Sequence, residues 1–380
     1  MINIGFITGA RSEYGIMKKL IAELDKDSAF KVSIVATGMH YQQKYGHTID
    51  DIRTDALVPI IDAPCYTEEE RHKEKDFVSL IDTLSNVFQE NPFDIIYIIG
   101  DRLEAYAAAL AAHFYKIPIA HFAGGQITNG AVDNIYRYNI SNLASIHFVT
   151  NTYAVDRLKN CPIIPNDNIY YVGSSAIDAI KTYLQNPKDA SLIDERLQRG
   201  NYVLMTFHSE TMAKVQKNTI PEIMDEAIST IVEKGVHLLL TYPNNDDGSN
   251  AIIRIIEKWK DNPFVVVRKN LGATLYYVAC DNSLFIVGNS SSGIIEIPYF
   301  QKYVVNVGER QSGRNAPKSV INVADDCVEV HNILSKLLLD PICKYPQENI
   351  YGDGNSISKI HSILKKQLYE NNRHWPWIYG

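Results

Sequence analysis

The chain is poor in cysteine and has no Lys/Arg-rich run. Its five cysteines stand singly along 380 residues, without a Cys-x-x-Cys pair, which argues against a disulfide framework and a structural zinc site. Lys and Arg number 37 against 44 Asp and Glu, which gives a net charge of −7. A mildly acidic chain without a basic run is not expected to bind nucleic acid.

Long hydrophobic runs and a dinucleotide fingerprint are also missing. No apolar stretch reaches the roughly 18 residues that a membrane helix needs, and the first residues lack the basic and apolar regions of a signal peptide. The turn at 8–14 contains no Gly-x-Gly-x-x-Gly motif, so a nicotinamide cofactor is not expected. We expect a cytoplasmic protein without a membrane partner.

Short β-branched runs alternate with longer amphipathic segments. The apolar runs lie at 2–8, 31–36, 94–99, 117–121, 146–149 and 169–172, and a second series lies at 202–206, 237–241, 264–267, 284–287 and 302–306. Helical patterns lie at 14–24, 77–89, 105–114, 220–233, 251–259 and 328–339. This alternation predicts an α/β protein with doubly wound parallel sheets, covered by helices on both faces.

The length predicts two domains, at about 100–200 residues each. The polar stretch 185–201 separates the two series and is interpreted as a linker. We therefore predict Rossmann-like domains at 1–184 and 200–350, with a ligand cleft between the carboxyl ends of their sheets. A last helix within 351–380 is expected to pack back on the N-terminal domain.

Several polar residues follow the strands of the second series. The GNSSSG turn at 288–293 precedes a helix, and free N–H groups at such a point favour a phosphate, although an ordinary N-capping turn explains them equally well. Glu296 in the first helical turn either reaches ribose hydroxyls or complements the helix dipole. Arg310 and Arg314 suit phosphate recognition, although solvated loop arginines are commoner.

Two further positions end strands of the same series. Asn244 follows the strand at 237–241, where a plain turn is the alternative. His208 follows the strand at 202–206. A histidine at a strand end is more often structural, but its place at the ligand edge of the sheet favours a functional role.

Charged residues also follow the strands of the first series. Arg11 follows the first strand, and Asp101 and Arg102 follow the third. A carboxylate at that edge is a candidate acid or base. Asp133 and Arg137 stand four residues apart and share a helix face, where a surface ion pair is the commoner explanation.

The most specific segments occur in order along almost the whole chain. They are ATGMH at 36–40, YGHT at 45–48, GDR at 100–102, GG at 124–125, YPN at 242–244, GNSS at 288–291 and RQSGR at 310–314. As a set, they resemble the hydrolysing UDP-N-acetylglucosamine 2-epimerases of bacterial sialic-acid and legionaminic-acid pathways. The epimerase domain of the animal bifunctional enzyme is similar too.

The resemblance implies a GT-B-like fold, with a nucleotide sugar between two Rossmann-type domains and no metal or cofactor. The N-terminal domain lies on the sugar side, and the C-terminal domain binds the nucleoside diphosphate. The catalytic residues expected with this family are Asp101, Asp133, His208 and Arg137, and two residues that differ from the family's pattern, Gln126 and Glu210, are further catalytic candidates. The implied substrate-binding residues are Arg11, Arg102, Asn244, Ser290, Ser291, Glu296, Arg310 and Arg314.

The implied chemistry removes the C2 proton while UDP leaves C1, which gives a 2-acetamidoglucal. Water then adds with inverted configuration at C2 and releases N-acetylmannosamine or a 4-acetamido-6-deoxy analogue for surface polysaccharide biosynthesis. Cations must stabilise the leaving group, and a carboxylate must accept the proton. Asp101 and Asp133 are the expected carboxylates, with Arg137 orienting Asp133 and His208 as a polar partner.

Four positions depart from the family's pattern. Gln126 stands where relatives have glutamate, Asn134 where they have a second acid and Tyr138 where they have histidine, while Glu210 is an additional acid. Because glutamine cannot accept a proton, three explanations stay open: a different substrate, a carboxylate supplied by Glu210, or a partly lost reaction. We favour an active enzyme on a modified UDP- or GDP-sugar.

Other function classes remain as alternatives. A non-hydrolysing 2-epimerase would return UDP-N-acetylmannosamine, a GT-B glycosyltransferase would need an acceptor, and a regulatory sugar-nucleotide binder would show no turnover. The sequence leaves open the substituents at sugar C4 and C6. A homodimer or homotetramer is expected from the relatives.

Overall fold

A computed structural model of the chain describes residues 1–43, 46–65, 73–128, 133–209, 217–243, 248–340 and 345–370. The chain divides into two compact units. The first comprises Met1–Gln126, Ala131–Asp178 and Gly352–Gly380, and the second comprises Ile127–Gly130 and Ala179–Tyr351. Each unit is built around one sheet.

Paired strands in the described residues run parallel to each other. The first sheet contains β1 (Ile2–Thr8), β2 (Phe30–Thr37), β3 (Ile60–Ala63), β4 (Ile95–Ile99), β5 (Ile119–Phe122), β6 (Ile146–Val149) and β7 (Ile169–Tyr171). The second contains β8 (Tyr202–Thr206), β9 (His237–Thr241), β10 (Val265–Arg268), β11 (Ile286–Gly288), β12 (Val304–Val307) and β13 (Val320–Val323).

Helices connect these strands. In the described part of the chain they are α1 (Arg11–Asp25), α2 (Ile49–Asp55), α3 (Lys73–Glu90), α4 (Leu103–Phe114), α5 (Asp133–Leu143), α6 (Thr152–Lys159), α7 (Ser175–Tyr183), α8 (Ile220–Glu233), α9 (Ser249–Trp259), α10 (Gly272–Asn282), α11 (Ser291–Ile295), α12 (Cys327–Leu339) and α13 (Ser356–Leu364). A π-helical segment, Lys365–Glu370, follows α13.

The strand order of each sheet creates one point where neighbouring connections diverge. The first sheet has the order β3-β2-β1-β4-β5-β6-β7, and the second has the order β10-β9-β8-β11-β12-β13. The chain therefore leaves β1 and β4 in opposite directions, and likewise β8 and β11. Ligands of doubly wound sheets bind outside the carboxyl ends of such strand pairs.

Hydrophobic clusters cover both faces of the first sheet. Ile95 and Tyr97 of β4 pack into the cluster that contains α1 and α13 residues, whereas Ile96 and Ile98 pack into the cluster that contains α3 and α4 residues. Successive side chains of a strand point to opposite faces, so both sets of side chains are buried in a strand that is covered on both faces, and apolar residues are favoured at every position. This is why the run is continuous in the sequence.

The C-terminal helix α13 packs on the first unit. Ile360 and Leu364 are each 1% exposed and belong to the cluster beside α1. His361 Nε2 and Lys365 Nζ lie 2.9 and 2.7 Å from the same carboxylate oxygen of Asp27. These contacts attach the C-terminal segment to the unit that contains β1.

The second unit includes the polar stretch interpreted as a linker. Ala190, Ile193 and Leu197 of that stretch are buried, and all three lie in the second unit.

The start of α8 shows how local sequence fixes the start of a helix. Thr219 Oγ1 accepts the Glu222 N–H, and the Glu222 carboxylate accepts the Thr219 N–H at 2.8 Å. Across the described ranges, no helix is both long and apolar enough to span a bilayer.

Candidate functional site

The predicted residues of the first unit gather at the carboxyl edge of its sheet. Strands β1 and β4 are neighbours, and the residues that follow them include Arg11, Asp101 and Arg102. Gln126 follows the adjacent strand β5, and Arg137 lies on α5. The edge where the connections diverge therefore holds three of the six predicted catalytic side chains, Asp101, Gln126 and Arg137.

Asp101 forms an ion pair with Arg137. The guanidinium donates to a carboxylate oxygen of Asp101, to the Gln126 carbonyl at 2.8 Å and to Asn134 Oδ1 at 3.0 Å. The Arg137 side chain is 7% exposed and that of Asp101 is 24% exposed, so water screens their attraction only in part. The pair holds the Asp101 carboxylate in one orientation.

The hydrogen bonds of this group differ from the expected ones. The sequence predicts that Arg137 orients Asp133, whereas the bonds just described orient Asp101. Asp133 is the exposed first residue of α5. The side-chain amide of Gln126 binds a different residue, because its Nε2 donates to Thr150 Oγ1 at 2.6 Å.

Arg102 lies beside two buried carboxyl groups that sequence reasoning missed. Its Nε is 3.8 Å from Glu13 Oε1 and 3.4 Å from Glu104 Oε2. Glu13 Oε2 accepts the N–H groups of Gly9 and Ala10 at 2.7 and 3.2 Å. Burial raises the pKa of Glu13 to about 7, against the opposing charge of Arg102. The available signal was an acid in the first turn of each helix that follows β1 and β4.

In the second unit, His208 after β8 is held by Asn289 after β11. Asn289 Oδ1 accepts the His208 N–H at 2.7 Å, and Asn289 Nδ2 donates to the His208 carbonyl at 2.8 Å. Burial, assisted by the charge of Arg310, lowers the pKa of His208 to about 4. The imidazole is therefore neutral at pH 7 and offers one donor and one acceptor. Asn289 belongs to the GNSS motif, but sequence reasoning gave it no role of its own.

The predicted serines begin helix α11. Ser290 is its N-cap and accepts the Ser292 N–H at 3.4 Å, and Ser292 Oγ is hydrogen-bonded to the Tyr276 hydroxyl. Burial of the carboxyl raises the pKa of Glu296 to about 7. Near neutral pH, Glu296 can therefore both donate and accept hydrogen bonds, which suits recognition of hydroxyl groups.

Two predicted arginines follow β12. Arg310 Nη1 and Gln311 Nε2 donate to the Asn289 carbonyl at 3.2 and 3.0 Å, so this loop is tied to the turn after β11. Burial lowers the pKa of Arg314, but a guanidinium still keeps its charge at pH 7. The two cations favour an anionic ligand at this edge.

The other predicted residues have fewer described contacts. Arg11 is exposed, and its Nε lies 3.4 Å from Asp51 Oδ2. Glu210 and Asn244 lie outside the described residues. Within the described ranges, no three His, Cys, Asp or Glu side chains are placed to hold a metal ion together.

Gly288 allows β8 and β11 to pair at the second-unit edge. It stands opposite Thr206, and its φ is 149°. An added Cβ would lie 1.8 Å from the Thr206 carbonyl oxygen. We expect Gly288→Ala to lower the free energy of unfolding by about 3 kcal/mol, because the two strands would have to separate. Urea denaturation measures this change.

Gly15→Ala is the matched control for this substitution. Gly15 lies inside α1, and an added Cβ there meets no atom within 4 Å. The control is expected to raise the free energy of unfolding by about 0.5–1 kcal/mol, because alanine is the better helix former. A small effect of Gly288→Ala, similar in size to that of the control, would contradict the expected clash.

The chain matches known proteins over most of its length. Residues 22–365 match a family model described as UDP-N-acetylglucosamine 2-epimerase. The chain is 29% identical over 362 residues to a UDP-N,N'-diacetylbacillosamine 2-epimerase (hydrolyzing) of Legionella pneumophila, covering 95% of this chain and 94% of that protein. It is 27% identical over 393 residues to polysialic acid biosynthesis protein P7 of Escherichia coli, covering 100% and 97%.

A solved structure shares the fold. The crystal structure of a UDP-GlcNAc 2-epimerase from Neisseria meningitidis, bound to UDP-GlcNAc, matches with a TM-score of 0.79 at 19% identity, covering 96% of this chain and 100% of that chain. This likeness confirms the predicted fold class, an α/β protein with two Rossmann-type units of the GT-B-like kind.

Proposed function

The chain belongs to the UDP-N-acetylglucosamine 2-epimerase family, as its motifs predict, and we propose that it is a hydrolysing 2-epimerase. Its substrate is a UDP-2-acetamido sugar, and its products are the nucleoside diphosphate and the free sugar inverted at C2. The observation that carries the proposal is the Asp101 side chain after β4, which Arg137 holds by an ion pair. The likeness to a hydrolysing relative supports release of the nucleotide over its retention.

In the first step, the Asp101 carboxylate accepts the C2 proton. The electron pair of the C2–H bond forms the C1=C2 double bond, and the nucleoside diphosphate leaves with the electrons of the C1–O bond. A carboxylate is a weak base for such a proton, so stabilisation of the departing diphosphate must lower much of the barrier.

The second step adds water across the double bond. The water oxygen bonds to C1 and loses one proton to solvent, and Asp101 also releases to solvent the proton that it accepted. The electron pair of the double bond takes a new proton, delivered to C2 on the face opposite to the one that was deprotonated. Asp133 is the carboxyl group proposed for this delivery. Its exposure at the start of α5 allows it to exchange protons with solvent, so the C2 hydrogen of the product comes from water.

The second unit supplies the nucleotide-binding groups in this proposal. Arg310 and the hydroxyls of Ser290 and Ser291 hold the diphosphate. The neutral imidazole of His208 donates a hydrogen bond to the leaving group, which the low pKa of that histidine supports. Glu296 binds the ribose hydroxyls, and its carboxyl can donate or accept near neutral pH.

Gln126 cannot act as a proton acceptor, so it has a positioning role here. Its backbone carbonyl accepts a hydrogen bond from Arg137, and its side chain binds Thr150. A neutral side chain at this position favours a sugar other than UDP-GlcNAc as the preferred substrate. The name of the Legionella relative makes a 2,4-diacetamido-6-deoxy sugar the first analogue to test.

Proton NMR in D₂O tests the reaction directly. The purified protein is incubated with UDP-GlcNAc and, separately, with UDP-N,N'-diacetylbacillosamine. We expect free UDP together with a manno-configured sugar carrying deuterium at C2, and faster turnover of the diacetamido sugar.

The other outcomes separate the alternatives. A C2-inverted sugar still attached to UDP would identify the non-hydrolysing reaction. Binding of UDP without turnover of either sugar would contradict an active epimerase and favour a regulatory binder. The name of the Escherichia coli relative supports a role in surface polysaccharide biosynthesis. That the protein is cytoplasmic, and that it assembles as a homodimer or homotetramer, are predictions from the sequence.

A further inference from the structure

A buried histidine lies in the first sheet, close to its carboxyl edge. His121 belongs to β5 and is 0% exposed. Its Nε2 lies 2.8 Å from the carbonyl oxygen of Gly100, and its Nδ1 lies 3.1 Å from Ser141 Oγ. The Ser141 side chain is also fully buried. One imidazole therefore joins the end of β4 to helix α5.

The chemistry of the partners fixes the tautomer. A carbonyl oxygen only accepts hydrogen bonds, so Nε2 of His121 carries the proton and donates to Gly100. Burial lowers the pKa of His121 to about 4, which keeps the ring neutral at pH 7. Nδ1 is then unprotonated and accepts a hydrogen bond from the Ser141 hydroxyl group.

Each group that contacts His121 adjoins a proposed functional residue. Gly100 directly precedes Asp101, and its own N–H is bound to the Phe122 carbonyl at 3.0 Å. Ser141 stands four residues after Arg137, on the same face of α5. The imidazole thus binds the main chain next to Asp101 and the helix that carries Arg137.

The loop that carries Gln126 packs against the same ring. An added Cβ on Gly124 would lie 2.7 Å from Ser141 Oγ and 2.9 Å from His121 Nδ1. Only a residue without a side chain allows this approach. Three segments, at Gly100, Gly124 and Ser141, therefore meet at one imidazole.

We propose that His121 is a positioning residue, which fixes the main chain before Asp101 relative to helix α5 and so sets the geometry of the Asp101–Arg137 pair. The inference rests on the proposed function of that pair. A neighbouring histidine shows that burial alone does not require such contacts. His147 stands beside His121 in the register of β5 and β6, but neither of its ring nitrogens has a hydrogen-bond partner among the described residues.

Two substitutions separate the two hydrogen bonds of the ring. In His121→Gln, the amide reaches the position of Nε2 and can still donate to Gly100. In His121→Asn, the amide reaches only the position of Nδ1 and can bind Ser141, so the Gly100 carbonyl loses its donor. Both variants remove the ring from the same buried place, so both lose packing.

Turnover in the NMR assay gives the first measurement. We expect His121→Asn to lower kcat by about 100-fold with KM changed less than about threefold, because a displacement of about 1 Å in a reacting group costs that much. His121→Gln is expected to keep kcat within about tenfold of the unsubstituted protein. Equal kcat values for the two variants would overturn the proposal, because a purely structural role predicts no difference between them.

Hydrogen exchange gives a measurement that needs no substrate. Mass spectrometry follows the backbone amides of residues 100–103 in the unsubstituted protein and both variants. We expect faster exchange of this segment in His121→Asn than in His121→Gln. If the unsubstituted protein turns over no sugar but the exchange rates differ in this way, the proposed function fails and the positioning role stands. Equal exchange rates in the two variants would overturn the positioning role.

Discussion

Asp101→Asn is expected to lower kcat for release of the free sugar by about 1000-fold, the scale of a lost general base. Asparagine has nearly the same size, and its Oδ1 can still accept the hydrogen bond that Arg137 now donates to the carboxylate. It carries no negative charge and cannot accept the C2 proton. The loss should therefore appear in the chemical step and not in folding.

Binding and stability measurements make this result specific. The affinity for UDP, measured by calorimetry, should change by less than about twofold, because the proposed nucleotide groups belong to the second unit. The control is Asp82→Asn, which removes an exposed carboxylate from α3 and should leave kcat unchanged. A folded Asp101→Asn protein with kcat within about tenfold of the starting value would assign the proton to another base.

The buried strands were predictable and two of the edge strands were not. β1, β6, β8 and β9 have the predicted bounds, because most of their residues are apolar and nearly all of them are buried. β3 and β13 lie at sheet edges, and their sequences were not recognised as strands. Each has four residues, of which two or three are partly or fully exposed, so solvent allows polar residues such as Asp62 and Asn322 to interrupt the pattern.

The positions of the candidate site were also more predictable than its contacts. Parallel strands end at a common edge, so residues after strands could be assigned to one place. Helical spacing relates only residues three or four positions apart, and it therefore predicted Asp133 as the partner of Arg137. The observed partner of Arg137, Asp101, is 36 residues away in the chain. A pairing of that range depends on tertiary packing, which no local pattern records.

The second large effect concerns acid. We expect the free energy of unfolding to fall steeply between about pH 6.5 and pH 4. Burial lowers the pKa of His40, His121 and His208 to about 4 and that of His147 to about 3. Unfolded histidines bind protons below about pH 6.5, whereas the folded protein keeps these rings neutral. For each proton that the unfolded chain binds in excess of the folded protein, the free energy of unfolding changes by about 1.4 kcal/mol per pH unit.

Two glutamates act in the opposite direction. Burial raises the pKa of Glu13 and Glu296 to about 7, so the folded protein retains protons that unfolded glutamates release above about pH 4.5. Their contribution to stability is complete below pH 4.5 and is lost as the pH rises through 7. Since four histidines oppose two glutamates, the stability maximum is expected near pH 7. Urea denaturation at pH values from about 8 to 4 checks the curve.

His147 allows this explanation to be tested at one residue. The ring is 0% exposed, and neither of its nitrogens is hydrogen-bonded within the described part of the chain. We expect His147→Leu to raise the free energy of unfolding at pH 7 by about 1–3 kcal/mol, because it removes buried polar atoms that lack partners. The same variant should reduce the slope of stability against pH by about 1.4 kcal/mol per pH unit.

His147→Gln separates the two effects of the leucine substitution. Glutamine does not titrate, so the slope against pH should fall as it does in His147→Leu. Its buried amide still lacks partners, so no gain is expected at pH 7. If the leucine variant keeps the original slope, the loss of stability in acid must come from other groups. The adjacent His121 cannot serve for this test, because its ring also holds the main chain before Asp101.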